Sequence, residues 1–466
     1  MLKKASVLMF VCIVALAGPG AVFAQEHEHH SGAQPKDAEK EQPAPEEPGQ
    51  GPMDHEHMGH TGAHETPEAP PAVRVPHGRE GSGTSWMPDS SPVFAHHFMA
   101  GDWMLMLHYS VEAGYDVQWG DRGSSRFAAV NWIMGMASHP LLGGELMLRS
   151  MLSLEPATMG GELQLPLLLQ SGETYGGVPL HDRQHPHDFF MELAAIYRHP
   201  VGDALGIELY AAPSGEPALG PTAFMHRASA MYNPFPPIGH HWQDSTHISF
   251  GVLTAGVYTG WAKLEGSIFH GREPDEDRWD LDVGALDSWS ARLSVNPTER
   301  TSFQVSYGYV HSPDALEPDV SPHRLTASGA FSAPILSQGN FAVTAIWGRN
   351  IESGHASDSV LAEATLDLDG SNVPFGRLEY VQKLGHDLVV PGDPEAKYGV
   401  FQGQFGYVHR FTGGPVVPFI GATVDVGIVP AGLETLYGTR TPVGAFFFLG
   451  LQPARMTTSH AHMRGM

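Results

Sequence analysis

The sequence predicts an all-β protein, an antiparallel outer-membrane β-barrel of about 14–16 strands preceded by a disordered His-rich tail. Three observations predict it. The chain opens on a secretory leader, and its body alternates apolar and polar residues in runs of about ten. No later stretch is long and apolar enough for a spanning helix.

The leader is MLKKASVLMFVCIVALAGPGAVFAQ. Lys3 and Lys4 make its positive start, Val7 to Ala17 its apolar centre, and Ala24 precedes a cleavage point at Gln25, so residues 1–24 read as a signal peptide. The one cysteine, Cys12, falls inside it. A mature chain cut there has no thiol for disulfides, Cys-type zinc sites or cysteine nucleophiles. Soft-metal chemistry then falls to His, Met and carboxylates. Residues 25–83 are rich in Pro, Glu, Gly and His and nearly free of large apolar side chains. Such a segment cannot offset its ordering entropy and is expected to be disordered. Within it, EHEHH and MDHEHMGH space imidazoles and thioethers closely enough to wrap a copper or zinc ion. A plain solvated acidic linker is the competing reading. Residues 456–466 repeat the theme with His460, His462 and Met463. The formal net charge of -25 argues against nucleic acid as a partner and suits the attraction of cations.

Between the two tails, residues 84–455 carry the strand pattern. In residues 302–311, Phe303, Val305, Tyr307 and Tyr309 point one way, while Ser302, Gln304, Ser306 and Gly308 point the other. Just upstream, Trp289, Ala291, Leu293 and Val295 alternate with Ser288, Ser290, Arg292 and Ser294, and NPTER joins the two runs as a hairpin. The same grammar recurs at residues 205–211, 248–257, 264–269, 325–331, 341–347, 362–368, 378–381, 398–409, 416–426 and 444–451. A periplasmic or secreted all-β protein would turn the apolar alternates inward. A membrane barrel turns them to lipid and encloses the polar ones. Strand length favours the barrel, as do the aromatics near strand ends (Trp86, Trp103, Trp119, Trp261, Tyr307, Tyr309), which read as interfacial girdles. The expected partners are outer-membrane lipid and the barrel-assembly machinery, with the His-rich tail in the periplasm. The last run, AFFFLGL, suits a closing strand, although further residues follow it.

Parity then assigns faces. Trp103, Leu105, Leu107, Tyr109 and Val111 are expected on lipid, leaving Met104, Met106, His108 and Ser110 inside. Met134 and Met136 share one face. Leu146, Leu148, Leu152 and Leu154 face lipid, with Glu145, Met147, Arg149 and Met151 inside. Thioethers aimed at one cavity suit Cu(I) and Ag(I), and they equally suit adaptable packing. After Pro186, Phe189, Met191, Leu193, Ala195 and Tyr197 share a face, with Asp188, Glu192 and Arg198 on the other.

Two His/Asp-rich segments flank the next hairpin. HDRQHPHDFF supplies His181, Asp182, His185, His187 and Asp188 at the rim. A long loop, residues 212–246, carries His226 and Arg227 on a short helix expected over residues 222–231, then His240, His241 and Asp244 before His247. Loops of that length are usually functional or folded inward. The candidate metal ligands are therefore His181, His185, His187, Asp188, His226, His240, His241, Asp244 and His247, with Met104, Met106 and His108 on the wall, for copper or zinc. No spacing among them matches an established motif. A hydrogen-bonded network pinning the loop to the wall is an equal reading. A Ser–His enzyme through Ser214, Ser229 or Ser245 is a third, without a nucleophile elbow to support it. No organic cofactor is expected.

The segments HPHDFFMELA, GEPALGPTAFMHR, HHWQDSTHI and LEGSIFHGREPDEDRWD resemble an uncharacterised Gram-negative family of outer-membrane β-barrels. That resemblance implies location and fold and no activity. The His/Met-rich leader region is similar in composition to outer-membrane copper-resistance proteins. The expected function is an outer-membrane barrel that binds or passes copper-type ions in metal homeostasis. The alternatives are a general porin-like channel with a structural His/Asp loop, and an outer-membrane enzyme.

Overall fold

The computed structural model describes Val73 and residues 75–162 and 164–456. The leader, most of the Pro/Glu/His-rich segment and the C-terminal tail lie outside the described residues. In chain order the strands are β1 (His96–Ala100), β2 (Trp103–Trp119), β3 (Ser125–Leu141), β4 (Gly144–Leu152), β5 (Leu165–Tyr175), β6 (Val178–Gln184), β7 (Phe190–Val201), β8 (Leu205–Gly215), β9 (Ser249–Tyr258) and β10 (Ala262–His270). They continue as β11 (Ser288–Thr298), β12 (Thr301–Tyr309), β13 (His323–Ile335), β14 (Gly339–Glu352), β15 (His355–Asp367), β16 (Asn372–Leu384), β17 (Lys397–Arg410), β18 (Val416–Ile428) and β19 (Val443–Pro453).

Each barrel strand pairs antiparallel with its neighbours, and β19 returns to β2 with Leu451 opposite Val111 and Val443 opposite Trp119. The result is a closed 16-strand antiparallel barrel. Two pieces stand apart from the ring. Strand β1 is a short flap paired with the start of β2, and β5 and β6 form a separate hairpin between β4 and β7.

The period-two pattern sorts the faces as the alternation predicts. Leu293, Val305, Leu378, Phe405 and Leu449 are exposed on the outside, whereas Arg292, Ser306, Arg377, Gln404 and Glu363 are buried within. Tight turns join β3 to β4, β7 to β8, β9 to β10 and β11 to β12 at one end, where Phe94 also bridges to Arg455. At the other end lie the long connections, residues 216–248, 271–287, 310–322 and 385–396. Barrels of this type show the same asymmetry of turns and loops.

Several expectations are corrected. Trp86 is not in a girdle: it is buried inside, with the Arg79 guanidinium 4.6 Å and the Lys263 ammonium 5.2 Å from its ring. Met191 does not face lipid, because the register slips between Met151 and Leu152 and turns it into the methionine cluster. Leu154 lies past the end of β4, and His181 sits on β6 of the inner hairpin instead of at the mouth of a barrel strand. Ordered chain also begins upstream of Gly83, with a turn at His77–Arg79.

That upstream strip enters the lumen. Arg79 pairs with Asp89 at 2.7 Å, Glu80 pairs with Arg198 of β7, and the Arg149 guanidinium donates to the Gly83 carbonyl at 2.5 Å. Arg292 donates to Thr84 Oγ1 at 3.0 Å and Asn296 to the Met87 carbonyl at 2.8 Å. From the opposite end the β8–β9 loop descends to meet it, with Ser85 and Thr222 hydroxyls 2.8 Å apart. Among the described residues the interior is thus filled from both ends by the chain's own segments.

The inside-outside map makes a thermodynamic prediction. Leu293→Arg, at mid-height on the outer face of β11, is expected to destabilise the barrel in lipid bilayers by about 2–4 kcal/mol. Ser290→Ala on the inner face removes a buried hydroxyl that has no partner, so it should be neutral or mildly stabilising. Urea titrations of the two variants check both signs.

Candidate functional site in the lumen

The loop from Glu216 to Ile248 is held by a charged junction. The Arg227 guanidinium donates to Glu363 Oε1 of β15 and to Asp244 Oδ2 of its own loop, each at 2.6 Å. Glu363 also accepts from Arg377 of β16 at 2.9 Å and from Ser229 at 3.0 Å. All four ionic side chains are almost fully buried. A buried charge is tolerated only when paired and hydrogen-bonded, and here each is.

Further along, Asn233 donates to Gln404, the Ile238 and Gly239 amides donate to Glu379, and the Trp242 indole donates to Ser357 Oγ at 2.7 Å. Phe235 packs on Phe446 at 5.7 Å in an inner aromatic layer. At Gly348 of β14 the loop leaves no room for a side chain: a Cβ there would lie 2.1 Å from the Trp242 carbonyl oxygen. Any side chain at position 348 pushes the loop off the wall.

The helix expected over residues 222–231 is absent. Only a single 3-10 turn, Phe224–His226, forms, because Arg227 leaves helical geometry to reach the wall. A one-turn helix, His240–Gln243, and a 3-10 turn, Ser245–His247, follow. These turns gather imidazoles. The His247 ring lies 5.0 Å from that of His240 and 5.3 Å from that of His187, and His241 lies 5.5 Å from His240 and 6.4 Å from His185. Phe224 lies against His187, His240 and His247 alike.

Three of these rings are oriented through Nδ1. His240 Nδ1 meets Asp244 Oδ1 at 2.8 Å, His187 Nδ1 meets Glu155 Oε2 at 2.8 Å, and His247 Nδ1 meets the Asp244 carbonyl at 2.9 Å. Acceptors at all three place the proton on Nδ1 and the lone pair on Nε2 in the neutral ring. His247 Nε2 is buried with no hydrogen-bond partner. Burial holds His240 down to about 4 against the pull of Asp244. Burial, with His240 and His187 adding, holds His247 well below its usual value. At His187 burial acts the same way, but the Glu155 carboxylate outweighs it and the ring is raised. For Asp244 burial works upward, and the Arg227 and His240 charges overcome it to hold the carboxyl below its usual range.

The structure therefore brings together His185, His187, His240, His241, His247 and Asp244, as the two sequence clusters suggested. It does not close them into a ligand shell. Among the described residues, the set of His, Cys, Asp or Glu groups whose ligating atoms fall within 4.8 Å of one another is Asp275, Asp280 and Asp282, in the β10–β11 loop. His181 belongs elsewhere, with its Nδ1 2.8 Å from Asp182, and Asp188 faces Arg278 at 3.3 Å. Ser214 donates to the Phe190 carbonyl, Ser229 to Thr344 and Glu363, and Ser245 accepts from Arg324, so their hydroxyls are engaged away from the histidines.

Met104, Met106, His108 and His226 fall in a second, adjoining cluster. Met106 is paired directly with Met136 and His108 with Met134 across β2 and β3, and Met134 faces Met151 across β3 and β4. Met106, Met134, Met136, Met147, Met151 and Met191 share one buried cluster with Met104. A cavity of about 90 Å³ opens between this wall and the loop. Sequence reading missed Glu155, Phe224, Met225 and Glu363, whose partners stand tens of residues away and leave no local signal.

No family model matches the chain, and no curated protein matches it. Among solved structures, it is similar to OprB of Pseudomonas putida at 10% identity, covering 76% of this chain and 94% of that one, with a TM-score of 0.48. It is also similar to an anion-selective porin from Comamonas acidovorans at 9% identity, covering 75% and 99%, with a TM-score of 0.46. A loop-deleted OmpT of Vibrio cholerae matches at 6% identity, 76% and 99% coverage, and a TM-score of 0.45.

Removing the guanidinium at the junction takes the cationic partner from buried Asp244 and leaves buried Glu363 with Arg377 alone. Arg227→Ala is expected to cost about 3–5 kcal/mol in urea unfolding. The depressed imidazoles set a pH dependence. The unfolded chain takes up protons near its ordinary histidine value while folded His240 and His247 resist, so their stabilisation is present above about pH 6.5 and falls as the pH drops toward 4. His187, shifted the other way, opposes this and loses its contribution as pH rises through its folded value. Thermal midpoints between pH 7.5 and 4.5 should decline in the parent and flatten in His240→Gln/His247→Gln.

Proposed function

We propose that the protein is a porin-like channel of the outer membrane held shut by its own chain. The observation that carries this reading is the chemistry of the boundary between wall and filling. Gly220 meets Ser306, Ala218 meets Ser267, Ser229 meets Thr344, Asn233 meets Gln404 and Gln243 meets Ser359, all by hydrogen bonds. Water can replace such contacts group for group. A wall so built stays solvated when the filling withdraws, as the interior of a water-filled barrel is.

In the usual arrangement short turns face the periplasm and long loops the exterior. The strip around residues 77–94 then enters from the periplasmic end and the β8–β9 loop from outside, and the His-rich residues upstream belong to the periplasm. Opening requires release of the Arg227 junction, which sets the barrier.

A second reading, metal handling of the copper type, is supported by one specific observation: thioethers and imidazoles are concentrated on one side of the lumen. In that reading the tails gather ions and the lumen holds or passes them, with copper better suited than zinc to thioether donors.

Planar-bilayer recording tests the channel. The mature parent chain should show rare openings, and Arg227→Ala should raise the open fraction without changing step size. Replacing residues 217–246 by a short Gly-Ser link and removing residues 25–92 should give steady porin-sized steps. A silent bilayer with all three proteins, each still running as a folded barrel on unheated gels, would overturn the reading.

A further inference from the structure

We infer that the lumen contains a built site for a soft monovalent metal ion, Cu(I) or Ag(I), between the β2–β3 wall and the turn Phe224–His226. The inference does not rest on the channel reading, since an ion can be held whether or not solutes pass.

The site is made by register. Inward parity on β2 and β3 sets Met106 opposite Met136 and His108 opposite Met134. Directly opposed residues on one face hold their Cβ atoms about 4.5–5.5 Å apart, so one thioether pair and one thioether–imidazole pair form a patch two rungs tall. The loop supplies the lid, where Met225 and His226 line the same cavity of about 90 Å³ as Met106, His108, Met134 and Met136. His108 Nε2 is buried and has no hydrogen-bond partner. The His226 ring lies tilted against Trp132 at 5.2 Å.

Packing alone does not account for this arrangement. Methionine fills irregular gaps well, yet here the gap is left unfilled, and a residue lining it, His108, carries a buried nitrogen without a bond. A buried unbonded nitrogen is costly and calls for an explanation. Water is the plain alternative, because the cavity has room for it.

The donors choose the ion. Thioether and imidazole are neutral, and the former is soft, which selects Cu(I) over Zn(II), Ca(II) or Mg(II). Two charged side chains also line the cavity, the Glu80 carboxylate and the Arg149 guanidinium, and each is already paired, Glu80 with Arg198 and Arg149 with Glu192. A divalent ion would find no uncommitted carboxylate there to offset its desolvation, and a monovalent ion loses far less.

The test uses the mature full-length chain in detergent micelles, with ¹³C-methyl methionine, titrated with Ag(I) in chloride-free buffer. The methyl signals of Met106, Met134, Met136 and Met225, assigned by single Met→Leu substitutions, are expected to shift together and saturate at one equivalent. Met134→Leu/Met136→Leu should weaken Ag(I) binding at that step by about tenfold or more, while keeping the folded mobility on unheated gels. Zn(II) should leave the four signals in place. The inference is overturned if only Met53, Met58 and Met463 respond, if the double variant binds like the parent, or if Zn(II) shifts the four signals equally. Silence of all four methyls in the parent chain, a cavity holding water alone, also overturns it, whatever the variants do.

Discussion

In hydrocarbon an unpaired peptide group costs several kcal/mol, and a sheet can meet that demand only by closing on itself. The pairing of β19 with β2 performs the closure, rung by rung from Leu451 and Val111 to Val443 and Trp119. Once the ring is shut, parity has no freedom left. One alternate of every strand meets lipid and the other meets an enclosed interior. The interior alternates are Arg149, Arg292, Glu363, Arg377 and Lys383, with many Ser, Thr and Gln. Each needs a partner.

The chain supplies partners from within. The β8–β9 loop and the strip around residues 77–94 bring carbonyls, hydroxyls and carboxylates to the wall's guanidiniums, and the Arg227 junction ties loop to wall through Glu363 and Asp244. Filling a polar lumen with polar chain leaves an interior unlike a soluble core. Its cohesion lies in hydrogen bonds and ion pairs that water can also make, apart from three apolar islands. One is the aromatic layer around Phe235, Phe446 and Phe448, with room for Phe448 because Gly421 has no Cβ to obstruct its ring. The second is the methionine cluster, and the third gathers Ile238, Trp242, Val381 and Leu433. Asp244 links the loop's charge network to its imidazoles, accepting from Arg227 on one oxygen and meeting His240 on the other.

Much of the fold was legible because lipid on one side and polar contacts on the other impose a strict two-residue period. The runs read at residues 302–311, 398–409 and 416–426 correspond to β12, β17 and β18 within a few residues. Legibility failed where the period failed. Parity misplaces Met191 at a register slip, proximity to a strand end misplaces Trp86, which lies under two cations inside, and the β5–β6 hairpin carries no alternation to announce it. The candidate site was half legible. Clustering of histidines around residues 185–187 and 240–247 pointed to one place, and the rings do meet there. Their orientation was not readable, since it depends on Glu155, which is 32 positions from His187.

By itself, then, the amino-acid order determined strand number to within a few, the face of side chains wherever the two-residue period runs unbroken, and the types of donor that reach the lumen, because these follow from local periodicity and composition. Tertiary structure alone decided that the lumen is occupied, that the loop is anchored through Arg227, and that the histidines gather without closing on a common point while the methionines share a cavity with His108 and His226. Those outcomes turn on distances between residues far apart in the chain, and a pattern of period two has no term for them.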